Sequence, residues 1–182
     1  MALDVIKGSD RDIVAKINDT DGDPYDLTGI SFLRACFQND AGSFYKAYIP
    51  VVGDTTSASQ ILSNVDSATL AFLSGLEGLP ISGPGIPAGA TIVSLPDSAS
   101  SPSAANTIKI SVNATATASA QSLLVGDVVL LSPVNWGKVK IHLYPTDTDT
   151  LASADFEIKL VKSGITSYVQ YPGALNLIDR FC

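Results

Sequence analysis

The chain predicts an all-β fold, an Ig-like antiparallel β-sandwich with a β-rich insertion in one hairpin. Three observations predict it. Apolar residues alternate with a period of two near both ends: Ile13, Ala15 and Ile17; Leu33, Ala35 and Phe37; Val139, Ile141 and Leu143; Phe156, Ile158 and Leu160. Clusters of Asn, Asp, Gly, Pro and Ser separate these runs at short intervals, which suits a sandwich of seven or eight strands. The texture also changes in the middle, where Lys109 is the sole member of the chain's 11 basic residues between positions 53 and 132, and Ser, Thr and Ala dominate. Residues 1-52 and 133-182 therefore read as a host domain, and 53-132 as an inserted Ser/Ala/Gly-rich β subdomain.

In order, strands are expected at Leu3 to Lys7, Asp12 to Ile17, Ile30 to Phe37 and Phe44 to Pro50. Asn18 to Pro24 carries residues that tolerate or preset turn geometry, so the second and third strands read as a hairpin. Asp26-Leu27-Thr28-Gly29 closes that turn, with Leu27 placed to plug the sandwich edge and Gly29 to supply a positive φ. In the insertion, Asp66 to Ser74 fits a short helix capped by Asp66 and stopped by Gly75, or equally a strand. The glycines and prolines of Leu76 to Leu95 forbid a helix and give a turn between short strands. Ile108, Ile110 and Val112 alternate with Thr107, Lys109 and Ser111. After Trp136 the alternation resumes in about four strands, the last two at Thr166 to Tyr171 and Leu175 to Phe181.

The chain has 182 residues, 46% of them apolar, enough for one substantial core or two small ones. A net charge of −7 argues against a grip on phosphate backbones, which needs clustered Lys and Arg, so nucleic acid is not expected as a partner. No apolar run approaches the length of a membrane helix, and the N-terminus lacks a basic start and apolar stretch; the reading is neither membrane-spanning nor Sec-exported.

No cofactor or metal is expected. Cys36, Cys182 and the single His142 do not supply a zinc shell. Asn18 to Asp23 has the acid density of a calcium loop but lacks its bidentate Glu and ligand spacing, and reads as a solvated turn. Pro145 to Thr150 reads as a loop whose carboxylates have no apolar or basic neighbour to separate their pKa values. His142 lies opposite the core face of its strand with no nucleophile or acid near it in sequence. Gly83-Pro84-Gly85 has no following helix or Lys, as a phosphate cradle requires.

Lys7-Gly8, Asp21-Gly22-Asp23-Pro24, Asp26-Leu27-Thr28-Gly29, Trp136-Gly137-Lys138-Val139-Lys140-Ile141 and Thr150-Leu151 to Phe156-Glu157-Ile158 together resemble a family of small β-sandwich proteins from bacteriophage tail modules. The N-terminal domain of upper baseplate proteins is similar, and the resemblance covers about 100 of the 182 residues. Separately, Ile81-Ser82-Gly83-Pro84-Gly85-Ile86-Pro87-Ala88-Gly89-Ala90-Thr91-Ile92-Val93 looks like a β module of phage tail-fibre, capsid-associated and bacterial surface proteins, whose usual form has Thr at the position of Ala90. Both resemblances imply a virion structural part, and neither implies catalysis.

The expected function is therefore a non-enzymatic virion protein, an assembly adaptor of the tail, neck or baseplate. The alternatives are a capsid decoration (cement) protein and a carbohydrate-binding module. Its expected partners are other virion proteins, in a symmetric homo-oligomer or in repeated copies. Phe44 to Ile49 and Thr166 to Tyr171 read as Tyr-rich edge strands with one charge between them, so Tyr45, Tyr48, Tyr168 and Tyr171 are the candidate interface. Cys36 reads as a buried free thiol in a strand, and Cys182 as an exposed one with the reach for an intermolecular disulfide.

Overall fold

Period-two alternation builds almost the whole of the computed structural model, which describes residues 3–6, 11–19, 21–39, 42–95, 106–148, 153–162 and 165–178. The elements in chain order are β1 (Leu3–Ile6), β2 (Arg11–Lys16), β3 (Ile30–Asn39), β4 (Gly42–Thr55), β5 (Ile61–Leu62), helix α1 (Ser67–Leu73), β6 (Ile81–Ser82), β7 (Ile92–Ser94), β8 (Ile108–Ile110), β9 (Ala118–Val125), β10 (Val128–Leu130), β11 (Lys138–Leu143), the single turn α2 (Pro145–Thr148), β12 (Ser153–Lys162) and β13 (Ile165–Ile178). The chain divides into two compact units, Met1–Ala47 with Asp127–Cys182, and Tyr48–Gly126. Both joints fall before the composition change that marks them in the sequence. Strand β4 runs unbroken through the first joint, so texture and fold change at different residues.

The first unit is a β-sandwich. One sheet has the order β1-β13-β12-β3-β4 and the other β10-β11-β2. Leu33, Ala35, Phe37, Ile158 and Leu160 fill the core from the first sheet; Ile13, Ala15, Val128, Val139, Ile141 and Leu143 fill it from the second. Antiparallel pairing dominates, with one departure: β1 runs parallel to β13, Leu3 opposite Leu175 and Ile6 opposite Ile178. The two strands expected at the C-terminus are one, since β13 continues through Pro172 and Gly173.

Strands β2 and β3, expected as a hairpin, belong to different sheets. The local turn does form, with Asp19 N–H donating to the Asp23 carbonyl at 2.8 Å and Asn18 bridged to Pro24. Beyond it, though, Tyr25 N–H donates to the Ile17 carbonyl and Leu27 N–H to the Val134 carbonyl, so the chain turns towards β11 and crosses to the other sheet instead of returning along β2. Asp26-Leu27-Thr28-Gly29 makes that crossing. Leu27 is fully buried, worth about 2 kcal/mol by area. Thr28 N–H donates to Asp26 Oδ1 at 2.9 Å, Gly29 takes φ +71°, and Lys162 Nζ reaches the Asp26 carbonyl at 2.8 Å from β12.

The second unit holds the orders β4-β9-β6 and β5-β8-β7. Its core is Val51, Leu62, Val65, Leu73, Ile92, Ile108, Ile110, Leu123 and Val125. The helical alternative holds at α1: Asp66 caps it, accepting from Thr69 N–H at 2.8 Å, and Gly75 follows at φ +76°. At Gly83, φ is +146°, and a Cβ would meet the Leu123 side chain at 2.6 Å and the Ser122 carbonyl at 3.1 Å; the turn lies directly on β9, which is why this position is glycine.

The second unit leaves the first within β4 and returns before β10, strands of opposite sheets, so it occupies a crossover and not a hairpin. Its two joints adjoin, because Ala47 N–H points to Asp127 Oδ1 at 3.4 Å. Replacing Tyr48–Gly126 by a Gly/Ser linker of about four residues is expected to leave a sandwich that melts in one cooperative transition. Loss of that transition in calorimetry would mean that the first unit depends on the second for its core.

Candidate functional site

Of the tyrosines singled out in the sequence, Tyr45 and Tyr48 lie on opposite sides of β4. Tyr45 is exposed, and the Arg34 guanidinium lies 4.8 Å over its ring. Arg34 is in register with Lys159 of β12, which is in register with Tyr168 of β13. Position 168 thus shares a row with Lys159 and Arg34, on the strand positions opposite to the core set Leu33, Ala35 and Phe37. The next row runs Gln170, Glu157, Cys36. Tyr48 lies three residues from Tyr45 on one strand and so projects to the other side; it is half-buried. The side chains of Tyr168 and Tyr171 lie outside the described residues, as does Cys182.

The sheet order sets β13 between β1 and β12, and β4 between β3 and β9, but β1 pairs with β13 only at Leu175–Ile178 and β9 pairs with β4 only from Ile49 onward, beyond the Tyr-rich stretches. Both strands have 14 residues, longer than the alternation suggests, and these second partners take up the extra length. Cys36 is a half-buried free thiol, not a fully buried one, since its strand position belongs to the same outer face as Arg34. Burial pushes the thiol up, with Arg34 pulling it down and Glu157 adding to the rise.

Lys46 is the feature that sequence reading missed. Its ammonium is buried, 2.8 Å from Asp127 Oδ2 and 2.6 Å from Asp147 Oδ2, and lies 4.5 Å from the centre of the Tyr144 ring. Two carboxylates and a π face take the place of water around it. Burial pushes the Asp127 carboxyl up, against the opposing pull of Lys46. Asp147 also accepts from Tyr144 N–H at 2.6 Å, which fixes α2. The segment read as a loop without basic neighbours is therefore a helical turn docked on a buried lysine. The first unit breaks off at Ala47 and resumes at Asp127, so this ion pair lies within it beside both joints.

Other candidates resolve into structure. Asp19 Oδ1 accepts from the N–H groups of Asp21 and Asp23 at 3.0 and 2.9 Å, so the acid-rich turn spends a carboxylate on its own backbone. His142, without a partner in its sequence neighbourhood, has one across the sheet: Nδ1 lies 2.9 Å from Asp12 Oδ1, and Lys140 reaches Asp12 Oδ2 at 2.9 Å. These contacts hold the Asp12 carboxyl below its usual value, His142 first and Lys140 next. The Asp26 carboxyl is lowered to about 2 by the hydroxyl and N–H of Thr28, then by Lys162. Gly85 sits in a β-turn region, its carbonyl taking the Thr115 N–H at 2.9 Å.

Among the described residues no cluster of His, Cys, Asp and Glu could hold a metal ion, and no helix is long and apolar enough to cross a membrane. No family model, curated protein or solved structure matches the chain. Its candidate site therefore rests on geometry: an outer sheet face with Arg34, Tyr45, Glu157 and Lys159, and on the other sheet an outer face with Val14, Val129, Trp136 and Lys140.

Proposed function

We propose that the chain is a non-enzymatic structural protein of a bacteriophage particle, an adaptor of the tail, neck or baseplate that makes repeated contacts with other virion proteins. The observation that supports this best is the presentation of Tyr45. An exposed aromatic is held against Arg34, whose register neighbour on β12 is Lys159, which is the aromatic and arginine mixture enriched at protein interfaces. The sequence resemblances to phage tail modules supply the kind of particle.

Replacing Tyr45 with Lys is expected to leave the melting temperature within a few degrees of the parent chain. Incorporation into particles, measured as copies of the chain per purified virion, is expected to fall at least tenfold. Normal incorporation of Tyr45→Lys would remove this surface from the contact.

A carbohydrate-binding role has one observation in its favour, the exposed Trp136 ring, since sugars stack on such rings. The Lys138 ammonium lies 5.4 Å from that ring's centre and competes for its face. A glycan-array signal lost in Trp136→Ala would favour that reading over the adaptor.

A further inference from the structure

We infer that strand β2 is a self-complementary edge through which two copies of this chain pair as an antiparallel dimer with its two-fold axis at Val14. This inference uses a different surface from Tyr45 and does not depend on the virion reading.

Three observations carry it. Strand β2 ends the sheet order β10-β11-β2, and among the described residues no strand pairs with its outer side. An open edge with alternating side chains is a template for another strand. Second, Val14 is 58% exposed at the middle of this strand, and the row across the sheet from it, Lys140 then Val129, ends in another exposed valine. Third, the charges flanking Val14 are opposite in sign and equally spaced, Asp12 two residues before it and Lys16 two residues after.

The spacing matters because antiparallel pairing about Val14 is a simple register. Val14 faces Val14 of the second copy, Ile13 faces Ala15, and Asp12 faces Lys16 twice, once on each side of the axis. The inward positions Ile13 and Ala15 stay buried and the outward ones stay outward, so the pairing extends each sheet without flipping a side chain. A slip by two residues would separate Asp12 from Lys16 in both pairs.

Lys16 is directly opposite Lys138 in the β2–β11 register. In the dimer the row becomes Lys138, Lys16, Asp12, His142, with the last two from the second copy. Asp12 keeps its contacts with Lys140 and His142, since a carboxylate has about four acceptor positions. The occupant is thus a second copy of this chain, chosen by charge complementarity along the strand.

Sedimentation of the purified full chain over a range of concentrations is expected to show a monomer–dimer equilibrium that weakens with added salt. Lys16→Glu places Glu against Asp12 twice, and Asp12→Lys places Lys against Lys16 twice. Each variant alone should dimerise at least tenfold more weakly than the parent, by about 1.4 kcal/mol for that factor. Mixed in equal amounts, the two variants restore both opposite-charge pairs, and a heterodimer at near-parental affinity is expected. Should Asp12→Lys fail to fold, Val14→Cys with Cys182→Ser tests the axis: oxidation should give a dimer band on a non-reducing gel, in excess of that from Cys182→Ser alone. A parent chain that stays monomeric at high concentration overturns the inference, as does a Lys16→Glu variant that dimerises like the parent. Normal particle incorporation of Tyr45→Lys, with dimerisation intact, would count against the Tyr45 surface and leave this one standing.

Discussion

Lys46→Ala is expected to lose about 3–5 kcal/mol of stability at neutral pH, because it strands the Asp127 and Asp147 carboxylates without their shared counter-ion in a buried site. The pH dependence identifies the cause. Asp127 is already raised in the folded parent, so the folded state holds its proton to higher pH than the unfolded chain does, and this group favours folding less as pH rises through that window. Without Lys46 its pKa rises further. The deficit of Lys46→Ala is therefore largest near neutrality and shrinks as pH falls and the folded state takes up the proton. Denaturant unfolding of parent and variant across pH measures both. A deficit that is the same at every pH would assign the loss to packing of the lysine stem and not to its charge.

The second large effect is expected at Gly137. This residue takes φ +63°, and a Cβ there would fall 2.2 Å from the Ile17 carbonyl oxygen and 2.9 Å from the Tyr25 nitrogen, both backbone atoms. The chain cannot move aside without opening the Ile17 N–H bond to the Gly137 carbonyl, which measures 2.7 Å. Adding a left-handed backbone cost of about 1–2 kcal/mol to an overpacking cost of about 1–3 kcal/mol gives Gly137→Ala a loss on the order of 3 kcal/mol. Gly29→Ala is the control. Its φ is +71°, but nothing lies within 4 Å of the added methyl, so only the backbone cost of about 1–2 kcal/mol remains. Equal losses at the two positions would show that the crowding at Gly137 is relieved by small shifts.

Much of the sandwich was legible because strand alternation is a local property. Leu33, Ala35 and Phe37, or Val139, Ile141 and Leu143, announce a strand and its buried face without knowledge of any partner. The role of Leu27 and Gly29 at the crossing was legible for the same reason. Pairing was not. The turn residues Asn18 to Pro24 form their turn, yet they cannot say which sheet the chain joins next, and β3 goes to the other one. The parallel β1–β13 pair unites the two ends of the chain, where no short-range pattern reports it. Lys46 reads as one charge on a Tyr-rich strand, and Asp127 as half of a Gly-Asp turn. Only a fold that brings together positions separated by 81 residues makes them a buried ion pair. At α1 the apolar spacing fitted a helix or a strand, and the Asp66 cap and Gly75 stop favour the helix.

The adjoining joints of the second unit have a kinetic meaning as well. Residues 48 to 126 are synthesised before β10 to β13, so the second unit is complete while half of the sandwich is still missing. Once it forms, Ile49 stands opposite Val125, and the two ends of an 81-residue span are already side by side when Lys46 meets Asp127. Closing that span as a free loop would cost about 2–3 kcal/mol more than closing one of a few residues. The inserted unit thus acts as an early-made clasp that turns a distant contact of the sandwich into a near one, and the folding of the host is expected to follow that of its guest.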